Sequence, residues 1–123
     1  MSEMKHLIFG EGLLIPTVAG KKKTTLRKYR AGSHDFVAGE IIRGYFKDDR
    51  DQWSILLRIT ADTKKKPFLE LTDQEAQESG FRNVLNAFNG LRLYYPGLAE
   101  TDTMAIIRFE ILQINGIPVV SLA

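Results

Sequence analysis

The chain contains no cysteine, which removes both a disulfide framework and a cysteine nucleophile from consideration. It has two histidines, His6 and His34, too few for a histidine-rich metal centre. Long apolar runs are missing as well. No stretch approaches the roughly 20 residues that span a bilayer, and Met1 to His6 leads into a short mixed segment rather than the apolar core of a signal peptide. There is no internal repeat, and the only low-complexity stretches are two lysine triplets. The expectation is a cytoplasmic protein with no membrane association, no metal and no cofactor.

What is present suits one globular domain over residues 1–123, with 44% hydrophobic and 26% charged residues. The net charge of +2 conceals an uneven distribution. Lys21, Lys22, Lys23, Arg27, Lys28 and Arg30 place six positive charges in ten residues that hold no acid, while the rest of the chain carries eleven bases and fifteen acids. Basicity is local, which points to an anion site rather than a uniformly basic coat.

Ile8 to Gly20, interrupted by Gly10, Gly12 and Pro16, reads as one or two helical turns near 11–19. Thr24 to Arg27 suits a short edge strand, and Ala31 to Asp35 a polar turn. Val37 to Phe46 is strand-like, with Gly44 marking a bend or bulge. Residues 47–51 form a solvated connection. In the next strand Trp53, Ile55, Leu57 and Ile59 occupy one face, the pattern of a sheet with one side in a core. Residues 62–66 read as polar loop and 67–71 as a brief strand.

Thr72 and Glu75 have the spacing of a capping box, with Leu71 and Ala76 as its apolar staple, so a helix spans 72–79 and stops at Gly80. Phe81, Val84, Leu85 and Phe88 repeat at helical spacing, giving a second helix over 81–89 that ends at Gly90. A long strand follows over 103–113, with Ala105, Ile107, Phe109 and Ile111 on one side. Asn115-Gly116 is a hairpin turn that returns the chain through Leu122. Helices inserted into a mostly antiparallel sheet indicate an α+β domain whose sheet curls into a small barrel.

Gly20, Lys22 and Arg27 match the short signature of the ASCH family, and Phe36 to Arg43, Leu71 to Phe81 and Tyr95-Pro96-Gly97 are similar to further segments of it. The chain therefore resembles an ASCH domain over residues 8–112. The resemblance implies a PUA-like β-barrel whose inserted helices close one side of a basic cleft facing RNA or a nucleoside. Within the family the chain looks closest to small bacterial amidohydrolases that remove the acetyl group of N4-acetylcytidine with a lysine, a threonine and a glutamate. Lysine and threonine fall on Lys22 and Thr25. Ser79 stands at the glutamate position, with Glu78 beside it.

Each residue has two readings. Lys22 is either a solvated loop lysine or, if buried among like charges, a base of lowered pKa. On a strand Lys22 shares a face with Thr24, not Thr25, so the match to Thr25 requires a turn. Thr25 is an ordinary strand residue or a nucleophile needing that base. Arg27 offers a planar fork to phosphate, or braces Glu78 or Asp35. Glu78 is a solvated helix residue or orients Lys22, whereas Asp73 and Glu75 suit the helix start. His34 can touch a ligand. Lys64 to Lys66 either extends a phosphate-binding face or forms a wet loop. Tyr94 and Tyr95 stack on a base or pack in the core.

Three functions follow. One is binding of RNA or a nucleoside through Lys21, Lys22, Lys23, Arg27, Lys28 and Arg30. A second is amide hydrolysis by Lys22, Thr25 and Glu78. A ribonuclease would need a carboxylate cluster, and its one candidate, Asp48, Asp49 and Asp51, has the flanking Lys47 and Arg50 of a solvated turn.

Overall fold

The computed structural model describes residues 5–9, 23–46 and 54–118. The expected helix at 11–19, the connection at 47–51 with its three aspartates, Trp53 and the return strand beyond 118 lie outside these residues.

Among the described residues seven strands form one mixed sheet: β1 (His6–Phe9), β2 (Thr24–Lys28), β3 (Ile41–Phe46), β4 (Ser54–Ile59), β5 (Lys64–Pro67), β6 (Thr103–Ile114) and β7 (Ile117–Pro118). The strand path runs β1-β3-β4-β6-β2, with β5 and β7 also paired to β6. Among the described residues only β1 and β3 are parallel; the other pairings are antiparallel. β6 is the backbone of the fold because its twelve residues pair with four other strands.

Alternation along β6 divides the protein into two cores. Ala105, Ile107 and Phe109 face an inner core with Leu7, Phe9, Phe36, Ile42, Phe46, Ile55, Leu57 and Ile59. Met104 and Ile106 face the opposite way, onto Leu26, Phe68, Leu71, Ala76, Ala87, Leu91 and Leu98. The second core lies beneath two helices, α1 (Asp73–Glu78) and α2 (Val84–Tyr94). The sheet is thus a curled half-barrel with inserted helices on one outer face, the α+β PUA-like architecture expected from the sequence.

The capping box is realised in full. Thr72 Oγ1 accepts the Glu75 N–H at 3.1 Å, and Glu75 Oε1 accepts the Thr72 N–H at 3.0 Å. The hairpin turn at Asn115-Gly116 has both residues at positive φ, 50° and 81°, as a two-residue turn between twisted strands requires.

Five expectations are corrected. The strand expected from Val37 begins only at Ile41, because Val37 to Glu40 close a turn in which the Glu40 N–H donates to the Val37 carbonyl. Gly44 marks no bulge. A Cβ there would stand 2.7 Å from Ile55 Cγ1 and 3.0 Å from Phe9 Cε2, so glycine serves close packing, and the register shift falls between Leu56 and Leu57. Lys64 to Pro67, expected mainly as loop, is a strand because its backbone pairs with residues 103–106, while Phe68–Glu70 is a 3-10 turn. The second helix starts at Val84, capped by the Asn83 side chain, and runs through Gly90 to Tyr94. Phe81 precedes it and lies over Gly90, where a Cβ would come within 2.8 Å of the ring.

Candidate nucleic-acid interface

β2 delivers the basic segment, and its pairing with β6 determines where each side chain goes. Thr24 lies opposite Arg108, Thr25 opposite Ile107, Leu26 opposite Ile106 and Arg27 opposite Ala105. Thr25 and Arg27 therefore belong to the inner face, and Thr24 and Arg108 to the helix-covered face. Lys21 and Lys22 lie outside the described residues. Lys23 is exposed, and its carbonyl accepts the Phe109 N–H at 3.0 Å, which ties Lys23 to the sheet at the end of the ladder next to the Thr24–Arg108 pair.

Arg27 does not project into solvent. Its Nε donates to Thr25 Oγ1 at 3.1 Å, one terminal nitrogen donates to the Ile8 carbonyl at 2.7 Å, and the guanidinium sits 5.3 Å from the Phe9 ring centroid. β1 and β2 are the two ends of the strand path, so this arginine bridges the seam of the half-barrel. Desolvation lowers its pKa, opposed by the Tyr95 and Tyr94 hydroxyls. Neither brace considered from the sequence is formed: Asp35 and Glu78 have other partners.

At the far end of β2 the chain turns through residues 30–35. Tyr29 donates its hydroxyl to Asp35 at 2.8 Å, Gly32 N–H donates to the same carboxylate, and Lys65 reaches it at 3.4 Å with its ammonium 4.7 Å from the Tyr29 ring centroid. The Tyr29 and Gly32 donors hold the Asp35 carboxyl below its ordinary pKa. His34 Nδ1 accepts the Arg30 N–H at 3.2 Å. Burial lowers its pKa, and the charges of Arg27 and Arg30 add to that effect, so the neutral imidazole is favoured among cations. Arg30 is exposed, as is Lys28, whose ammonium lies 3.7 Å from Asp102.

On the helix-covered face, Glu75 is 6% exposed and takes Lys66 at 2.5 Å and Lys64 at 3.4 Å. Burial alone would raise its pKa. The Lys66 ammonium, the Thr72 N–H and Lys64 outweigh that and bring it to about 2. The lysine triplet is therefore consumed internally, Lys64 and Lys66 by Glu75 and Lys65 by Asp35.

Further along this face Glu78 forms an ion pair with Arg108, each side chain about one-third exposed. Ser79 follows at 3% exposure, and Thr24, across the ladder from Arg108, is 2% exposed. Thr25 and Glu78 stand on opposite faces of the β2–β6 ladder. Tyr95 packs against the helix-covered core, whereas Tyr94 is 48% exposed. Arg108 escaped the sequence reading, although an arginine inside the apolar run Ile106-Ile107-Arg108-Phe109 was its signal. Among the described residues no group of three or more acids or histidines is placed to hold a metal ion, and no helix is long and apolar enough to cross a membrane.

No family model matches the sequence, nor does any curated protein. Solved structures do. Protein EF3133 from Enterococcus faecalis V583, of family model DUF984, has a TM-score of 0.65 at 17% identity over 98% of this chain and 88% of that one. An ASCH domain from Lactobacillus crispatus JV V101 has a TM-score of 0.62 at 13% identity, over 79% and 68%. The hypothetical protein PH0355 has 0.59 at 17%, over 89% and 99%. At these identities the likeness is one of fold: the chain shares the architecture of the ASCH domain and of the DUF984 protein EF3133.

Proposed function

We propose that the domain binds RNA, or a modified nucleoside derived from it, along the outer edge of β2. The observation that carries this reading is the spacing of Lys23, Lys28 and Arg30. All three are exposed, and one strand with its turn spreads them from the Arg108 end to the His34 end, with about 16 Å between Lys23 and Lys28. By alternation Lys23 shares the Thr25 face and Lys28 the Thr24 face, so a single-stranded phosphate backbone that meets both crosses the outer edge of β2, an end of the strand path. The half-exposed Tyr94 offers a stacking surface nearby.

Binding needs no nucleophile. Hydrolysis of N4-acetylcytidine by Lys22, Thr25 and Glu78 would need Thr25 to face Glu78, whereas Thr25 is 3% exposed, engaged by Arg27 and on the other face. Fluorescence titration of a labelled single-stranded RNA at several salt concentrations tests the proposal. Affinity should fall with salt, with a slope of about −0.7 per phosphate contacted. Replacing Lys23, Lys28 and Arg30 together with alanine should flatten that slope. Equal affinity and slope in the triple variant would reject the proposal, as would turnover of N4-acetylcytidine to cytidine that Thr25→Ala abolishes.

A further inference from the structure

Among the described residues β2 pairs only with β6, and at the end of that ladder the Tyr29 N–H donates to the Thr103 carbonyl. Alternation of the backbone therefore turns the peptide groups of Lys28 and Arg30 outward, away from β6. His34 covers them. Its Nδ1 accepts the Arg30 N–H at 3.2 Å, and the Lys28 carbonyl takes a hydrogen bond from the ring. The backbone N–H of His34 donates to the Arg30 carbonyl at 3.2 Å and closes the turn. The imidazole is thus half-buried on the same outer edge along which Lys28 and Arg30 are exposed.

The charge around this ring is unbalanced. Arg27 and Arg30 face it, and Asp35 is the acid beside it. Asp35 is committed to the Tyr29 hydroxyl, the Gly32 N–H and Lys65. Arg27 has the neutral acceptors Thr25 Oγ1 and the Ile8 carbonyl, and among the described residues Arg30 has no ion pair. Two cations and a ring able to become a third therefore lack a counter-ion, which marks the place of an anion. Protonating Nδ1 in the free protein repels both arginines and takes the acceptor from the Arg30 N–H. A phosphate oxygen removes both costs, because it offsets the positive charge and can accept from Nδ1–H and the Arg30 N–H together. Resting on the RNA-binding reading above, we propose that His34 is a proton-linked contact for an RNA phosphate, taking up a proton from solvent as the phosphate settles against Arg30. The complex then holds one more proton than its free components between the two pKa values of the ring, so affinity rises as pH falls through that range.

The test is a fluorescence titration of a labelled uridine octamer between pH 5.5 and 7.5 at constant ionic strength, where uracil does not titrate. Wild-type affinity should rise roughly fivefold from pH 7.5 to 5.5, as follows from a shift of about one pKa unit between free and bound His34. His34→Gln keeps an acceptor for the Arg30 N–H and should hold affinity within about twofold across the range. His6→Gln, which alters the ring packed on Tyr45, should keep the wild-type dependence. NMR of the wild-type imidazole should show His34 titrating about one unit higher with the octamer than without it, a comparison that stands even if His34→Gln unfolds. Equal affinity at both ends of the range, pH dependence kept by a folded His34→Gln, or an unmoved His34 titration would overturn the proton-linked role and leave RNA binding intact. Failure to bind the octamer at any pH would overturn both.

Discussion

Replacing Glu75 with glutamine removes a single negative charge from a site where two lysines and a helix N-terminus converge. Glutamine keeps the shape and can still serve a capping box, so the change isolates the charge. In the folded protein the carboxyl titrates at about 2 against an ordinary 4.5, and the difference corresponds to roughly 3 kcal/mol of stability at neutral pH. A depressed carboxyl contributes fully above its unfolded pKa and loses that contribution as pH falls toward its folded one. The wild type should therefore exceed Glu75→Gln by about 2–3 kcal/mol at pH 7, and the gap should close between pH 4.5 and about 2. Lys66 is 16% exposed on its side chain and is left without its main partner in the variant, which adds to the loss. Urea denaturation of both proteins at pH 7, 4 and 2.5, followed by circular dichroism, measures the gap. A gap below about 0.5 kcal/mol at pH 7, or one that persists undiminished at the acid end, would refute the reasoning.

Arg27→Lys should cost about 2 kcal/mol, because one ammonium cannot serve Thr25 and the Ile8 carbonyl with the geometry of a fork; hydrogen exchange should accelerate in β1, and unchanged protection there would contradict the seam role. His34 should titrate below 6.5 by NMR, so acidification through that range favours the unfolded chain, which takes up the proton first. Arg30→Ala should move the midpoint back up, and no movement would remove Arg30 as a cause. Gly44→Ala should destabilise by about 1–3 kcal/mol through overpacking against Ile55 and Phe9, read as a lower denaturant midpoint; a neutral result would mean that the β3–β4 packing yields freely.

Several elements were legible in the residues alone because their causes are local. Ile55, Leu57 and Ile59 alternate and are buried on one face, Thr72 and Glu75 close their box within one helical turn, and Asn115-Gly116 turns the chain by its own backbone preference. The unevenness of charge was equally plain, since it is a matter of counting. Contacts between distant segments decided the rest. Gly90 reads as a helix stop until Phe81 is seen lying over it, and three consecutive lysines read as loop until β6 supplies their backbone partners. Arg27 looks like a phosphate ligand in a basic segment, yet the curl of the sheet brings β1 beside it and turns it into a bridge across the seam. Likewise, no spacing along β2 reveals that Thr25 and Glu78 are separated by the sheet. That follows from the register of β2 against β6, which is set by the packing of both cores on one strand.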